Sequence, residues 1–225
     1  MEKRNIKSAL NISSIVFACV DLLVFVVIAI LVGCKHQFQI DGFNGWVAKY
    51  RNETANEFFK TITCLGSFYV VGLIVLVAFL VIAFHQKKLR LAVFMGGAFG
   101  FASLLNIAIK FIFKRPRPEM FMIVDQSGYS FASGHSVMVT CMLLLAIYYV
   151  GISIKNKPLM IVLDCIFGSL IALVCFSRVY LGVHYLSDVL AGICLAAGCV
   201  KLFMVAYQSK IFKFLQDKNI AEPST

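Results

Sequence analysis

The sequence predicts an all-α, polytopic membrane protein: six transmembrane helices in a bundle, with a short amphipathic helix lying at the membrane surface. Three observations carry this. Mean hydropathy is +0.88, and 60% of the 225 residues are hydrophobic, above the share found in soluble domains. Apolar runs of spanning length recur at about 14–33, 64–84, 91–113, 135–154, 158–177 and 185–207. Six such runs in so short a chain leave almost nothing for the polar shell of a soluble fold.

Each element has its own signal. The first run follows a basic start (Lys3, Arg4, Lys7) and is broken only by Asp21. It is too long for a signal-peptide core and no small-residue cleavage site follows it, so it is expected to be retained. The longest link, about 35–62, places Phe43, Trp46, Val47 and Tyr50 at i, i+3, i+4 and i+7, with Lys49, Arg51, Asn52 and Glu53 among and after them. That pattern suits a short helix in the headgroup layer, and the single Trp suits an interfacial belt. It reads as a membrane-surface connector. Lys87, Lys88 and Arg90 separate the second span from the third. Pro116 and Pro118 force Arg115 and Arg117 toward extended geometry and end the third span. Ser133 and Gly134 open the fourth, Lys155 and Lys157 part it from the fifth, and a very short link at about 178–184 leads into the sixth. No repeat or low-complexity linker divides the chain, which is expected to form one domain over residues 1–225.

The net charge is +10, but the basic residues do not gather into one nucleic-acid patch. They alternate between links. The N-terminus, the second–third link, the fourth–fifth link and the tail (Lys210, Lys213, Lys218) fall on one face, which the positive-inside rule makes cytoplasmic, with both termini there. Lys114, Arg115, Arg117 and Arg178 lie on the opposite face beside the histidines and are assigned to function. Among eight cysteines, Cys19, Cys141, Cys165, Cys175, Cys194 and Cys199 sit within spans as small apolar residues, and no metal-ligand spacing occurs. Cys34 and Cys64 both fall near the outer face, and whether they pair is open. No carboxylate cluster suits a metal, so neither metal nor cofactor is expected.

Three charged clusters remain. Lys110 stands near a span end, where a cation is costly unless it snorkels or meets an anion, and Arg117 follows it. Ser133, Gly134 and His135 begin a helix whose exposed N–H groups make an anion site. Ser177, Arg178, His184 and Asp188 form the third cluster. On a helix His184 and Asp188 would share a face, so the carboxylate could fix the imidazole tautomer and leave the other nitrogen as base or nucleophile. Arg178 adds a permanent charge suited to phosphate.

Together these clusters resemble the three signature motifs of the type-2 phosphatidic acid phosphatase superfamily. The first motif, a Lys, six residues and Arg-Pro, is matched by Lys110 with Arg117-Pro118. The second, Pro-Ser-Gly-His, is matched by Ser133-Gly134-His135, with Ala132 in place of the proline. The third, Ser-Arg, five residues, His, three residues, Asp, is matched by Ser177, Arg178, His184 and Asp188. The resemblance implies a metal-independent lipid phosphatase or diphosphatase with a site facing outside the cytoplasm. His184 would be the nucleophile, Asp188 its orienting partner and His135 the general acid and base. Lys110, Arg117, Arg178, Ser133 and Gly134 would bind phosphate. Bacterial members act on undecaprenyl diphosphate, phosphatidylglycerol phosphate or phosphatidic acid, and the motifs do not choose among them. The partners implied are a lipid phosphate and the bilayer, with the oligomeric state undetermined. A non-catalytic phospholipid-binding or transport protein would keep the basic residues but has no need of His184, Asp188 and His135 together.

Overall fold

The computed structural model describes residues 2–34 and 42–208, with the side chains of residues 2–11 left out. The basic start (Lys3, Arg4, Lys7) and the tail lysines therefore lie outside the described side chains. All regular structure among the described residues is helical, and it includes six helices long and apolar enough to cross a membrane.

Helix α1 spans Glu2–Gly33. The connector then forms two helices rather than one: α2 (Phe43–Ala48) and α3 (Glu53–Cys64), the latter capped by Asn52 Oδ1, which accepts from Ala55 N at 2.9 Å. Helix α4 (Phe68–Leu80) follows a bend at Leu65–Ser67 and runs into a π-helical turn over Val81–His85. The stretch Glu53–His85 has 33 residues, about 50 Å if straight, against a hydrocarbon core of about 30 Å. The bend divides it into a surface segment and a spanning one. Helix α5 covers Leu89–Phe113, α6 Gly134–Ser153, α7 Lys157–Tyr180 and α8 Leu186–Gln208. Asn156 caps α7, with a proline in its first turn.

Two details differ from the sequence reading. Helix α7 continues one turn past the expected end, so Arg178 is helical and only 2% exposed, not part of a link. Helix α8 begins at Leu186, so His184 precedes it while Asp188 sits in its first turn. The two residues do not share a helix face. The chain leaves α7 through Gly182, at φ +74°, a left-handed geometry that an L side chain resists.

Burial is distributed as a bilayer requires. Ile15, Phe17, Leu23, Leu73, Leu104, Ile112 and Ile161 are exposed apolar side chains on the outside of the bundle. Helices α6 and α8 are the most buried spans. Their close approach depends on a small residue: a Cβ at Gly192 would stand 2.9 Å from Ser133 O and 3.0 Å from Ser136 Cβ, and at the α1–α8 contact one at Gly198 would stand 2.7 Å from Leu22 Cδ2. Helix α1 lies along α8, where Asp21 Oδ2 meets Lys201 Nζ at 2.5 Å, so the charge that interrupts the first apolar run has its partner in the last. Cys34 and Cys64 are both free thiols.

Candidate active site

One end of the bundle gathers the C-terminal ends of α5 and α7 and the N-terminal ends of α6 and α8. Helix α5 stops at Lys114, which adopts φ 44° and donates its N–H to Lys110 O at 3.0 Å. Lys110, one turn earlier, turns its ammonium onto the loop above, donating to Tyr129 O at 2.7 Å and Ser130 O at 3.3 Å. The proline-bounded segment after α5 then places two guanidinium groups differently. Arg117 donates to Gly128 O at 2.9 Å, Ser127 O at 3.0 Å and Val183 O at 2.8 Å. Arg115 turns inward to Asp188 Oδ1 at 2.7 Å and Ser187 Oγ at 2.8 Å, and lies 4.1 Å over the Tyr185 ring.

Six of the eight site residues expected from sequence line a single pocket of about 230 Å³: Lys110, Arg117, Gly134, His135, Arg178 and His184. The other two stand behind it. Asp188 is fully buried beneath His184. Ser133, also fully buried, caps α6: its Oγ accepts from Ser136 Oγ at 3.0 Å and Ser136 N at 3.4 Å. Gly134, not the Ser133 hydroxyl, forms the wall at that point.

The nucleophile candidate has a defined protonation pattern. Arg117 Nη1 lies 3.2 Å from His184 Nε2. A guanidinium offers only donors, so Nε2 carries the lone pair and the ring proton sits on Nδ1. Burial, reinforced by Arg178 and Arg117, pulls the His184 pKa from 6.5 down to about 3 against the opposing pull of Asp188. Burial also lowers the Arg117 pKa, but an arginine starts so high that its charge persists. The site therefore presents a neutral imidazole lone pair among fixed cations.

Sequence reasoning passed over several residues the structure brings here. Ser130, fully buried, lies 3.2 Å from His184 Nδ1 and donates a short hydrogen bond to Asp188 Oδ2. Asn44 of α2 donates to His184 O at 2.9 Å, so the segment read as a surface connector also holds the turn carrying His184 in place. Only Phe43 and Val47 of its apolar stripe face inward, while Trp46 and Tyr50 are exposed. Arg178 donates to Thr63 Oγ1 of α3 at 2.7 Å and to Gln126 Oε1 at 3.0 Å. Among the described residues, no three His, Cys, Asp or Glu side chains converge as a metal centre would need.

A polytopic helical bundle with three cations and two histidines around one pocket at its end defines a class, the integral-membrane phosphatases. The chain belongs to the PAP2 superfamily, whose profile matches residues 91–212. Phosphatidylglycerophosphatase B of Bacillus subtilis (strain 168) is 34% identical over 172 residues, spanning 74% of this chain and 81% of that protein. Lipid phosphate phosphatase delta of Arabidopsis thaliana is 26% identical over 190 residues, 77% of this chain but 43% of that longer protein. The crystal structure of the transmembrane PAP2-type phosphatidylglycerolphosphate phosphatase from Bacillus subtilis superposes with a TM-score of 0.68 at 28% identity, covering 91% of this chain and 98% of that one. Aquifex aeolicus LpxE shares the fold, with a TM-score of 0.60 at 21% identity over 75% of this chain and 96% of that one. The protein is thus a multi-pass membrane lipid phosphatase.

Proposed function

We propose that this phosphatase removes phosphate from a lipid mono- or diphosphate through a phosphohistidine on His184. Undecaprenyl diphosphate, phosphatidylglycerol phosphate and phosphatidic acid are the candidate substrates. The observation that carries the reading is the placement of His184, its Nε2 3.2 Å from Arg117 Nη1, in one pocket with Lys110, Arg117 and Arg178. In the first step Nε2 attacks phosphorus and the bond to the leaving oxygen breaks, with His135 giving that oxygen a proton. The three cations and the Gly134 N–H neutralise charge on the equatorial oxygens. In the second step His135 takes a proton from water, the water oxygen bonds to phosphorus, and the P–Nε2 bond breaks to release inorganic phosphate. Cations of the chain supply the neutralisation, so the reaction is expected to run without a metal.

Two features support a lipid substrate. The bend at Gly66 packs directly on the site: a Cβ there would meet Val174 Cγ1 at 2.7 Å and His135 Cδ2 at 3.3 Å. From that point an apolar cavity of about 340 Å³ runs between α4, α6 and α7, lined by Leu65, Val139, Leu143, Phe167, Leu170 and Val174. A hydrocarbon tail there would stay in the bilayer while its phosphate reached His184. The outward orientation of the site draws support from Lys87, Lys88 and Arg90, which line a pocket with Ser153 and Tyr207 at the opposite end of the bundle.

The test is phosphate release by purified protein in detergent from the three lipids and from a short water-soluble phosphate ester, with trapping of the phosphoenzyme. Lipids should be turned over far faster than the soluble ester, and label should appear on histidine. Equal efficiency on a soluble ester and its long-chain analogue would contradict the lipid reading.

A further inference from the structure

We propose that Ser130 is a positioning residue for the nucleophile, standing between His184 and Asp188 as a hydroxyl relay. The proposal rests on the phosphohistidine reading of the site and deepens it. Spacing alone suggests that Asp188 holds His184 directly. The geometry does not allow this, because His184 Nδ1 and Asp188 Oδ2 are 3.6 Å apart, beyond hydrogen-bond range. Ser130 Oγ fills the gap, 3.2 Å from Nδ1 and in a short bond with Asp188 Oδ2.

Every direction in this chain is fixed by its ends. Arg117 can only donate, so Nε2 accepts and Nδ1 bears the proton. Nδ1–H donates to Ser130 Oγ, and the hydroxyl therefore turns its own proton to the carboxylate. Asp188 is held by three donors: Arg115 Nη1 on Oδ1 at 2.7 Å, and on Oδ2 the Ser130 hydroxyl and Tyr185 N at 3.0 Å. Ser130 is equally fixed through its backbone. Its N–H donates to Arg115 O at 2.9 Å and its carbonyl accepts from Lys110 at 3.3 Å. One residue thus ties the segment of Lys110 and Arg115 to the turn carrying His184.

The relay acts without passing a proton. When Nε2 bonds to phosphorus, the ring becomes cationic and Nδ1 keeps its hydrogen. The hydroxyl, polarised by Asp188, stabilises that charge. When water displaces the imidazole, the electron pair returns to Nε2 and the hydrogen bonds are unchanged. A carboxylate already paired with Arg115 attracts the imidazolium less than a bare one would, so the intermediate is supported without being trapped.

The test compares Ser130→Ala, Ser130→Thr and Asp188→Asn with unmodified protein, using turnover on a lipid phosphate and acid-quench trapping of phosphohistidine. Ser130→Ala should lower kcat by about 100-fold while KM stays within about threefold, because misaimed attack costs rate and not binding. Ser130→Thr keeps the hydroxyl and should recover to within about tenfold of the original kcat. The double variant Ser130→Ala/Asp188→Asn should be no slower than Asp188→Asn alone, as expected for residues in one chain. If Ser130→Ala does not fold in detergent, Ser130→Thr against Ser130→Cys carries the test, and the thiol, a weak donor, should be the slow one. A folded Ser130→Ala with unchanged kcat, losses that add in the double variant, or equal rates for Thr and Cys would overturn the relay. Failure of the underlying reading looks different: no trapped phosphohistidine in any variant, with activity surviving His184→Ala.

Discussion

Gly182 is the position where a single methyl group should do the most damage without touching a functional group. It turns the chain between Arg178 and His184 at φ +74°. Its hydrogen side faces the chain after Pro118: a Cβ would overlap the Phe121 carbonyl and stand 2.9 Å from Met122 N. Both are backbone atoms and cannot rotate away. The opposing segment is pinned on two sides, by Ile123 N donating to Leu181 O at 3.1 Å and by Arg51 Nη1 donating to Phe121 O at 2.8 Å. Gly182→Ala should therefore cost about 1–2 kcal/mol for the left-handed backbone and a further 1–3 kcal/mol for the overlap. Relief of the clash must move the turn that ends in His184, and if His184 is the proposed nucleophile a displacement of about 1 Å should lower kcat roughly 100-fold. Gly128 is the internal control. It shares the left-handed geometry at φ +79° but has nothing within 4 Å of an added Cβ. Gly128→Ala should thus show only the backbone cost. The assay is thermal unfolding in detergent beside kcat on a lipid phosphate. A Gly182→Ala variant no less stable and no slower than Gly128→Ala would refute this account of the turn.

Other outcomes follow from the same geometry. His184→Ala should abolish turnover and phosphoenzyme, and His135→Ala should slow substrates with poor leaving groups most; equal losses on good and poor leaving groups would remove His135 from the acid role. With the His184 pKa at about 3 in the folded protein against 6.5 unfolded, the unfolded chain binds a proton that the folded one does not in this interval. The contribution of His184 to stability is therefore complete above about pH 6.5 and is lost as pH falls toward 3, while the folded imidazole stays neutral over most of that interval; a rate loss near pH 6.5 that traces to His184 protonation would contradict this. Activity should survive chelation and be blocked by vanadate, with vanadate affinity falling in Arg178→Ala; loss with chelator and return with magnesium would defeat the cation assignment. A cysteine at Gly128, in a background with the other exposed cysteines replaced, should react with an impermeant thiol reagent from outside intact cells; labelling only after permeabilisation would invert the topology.

The six spans were readable because hydrophobic length is a local property, and the motif residues because their chemistry is unusual in apolar surroundings. What escaped depends on distant approach. Ser130 is an ordinary loop serine until folding sets it between His184 and Asp188, and Asn44 is 140 residues from the carbonyl it holds. Arg115 was assigned to function with its basic neighbours, but nothing local shows that its partner is Asp188 rather than a phosphate. Helix α3 was read as link because its apolar residues lie on one face, between Glu53, Asn56, Glu57 and Lys60, and none of them is fully buried. The helical end of α7 was misplaced by a turn because Arg178 looks like a terminator when its tertiary partners, Thr63 and Gln126, are out of view.

The contact between Asp21 and Lys201 sets a condition on biogenesis. The two residues are 180 positions apart, so α1 is synthesised long before α8 exists. Through that interval a carboxylate stands in an apolar helix with no α8 to receive it. It must stay close to the insertion machinery or take water with it into the bilayer. Synthesis of the final span supplies Lys201 and ends the wait. A chain truncated before α8 would keep all of α1 yet leave Asp21 without Lys201. The ion pair is thus available only to a chain whose final span has been made.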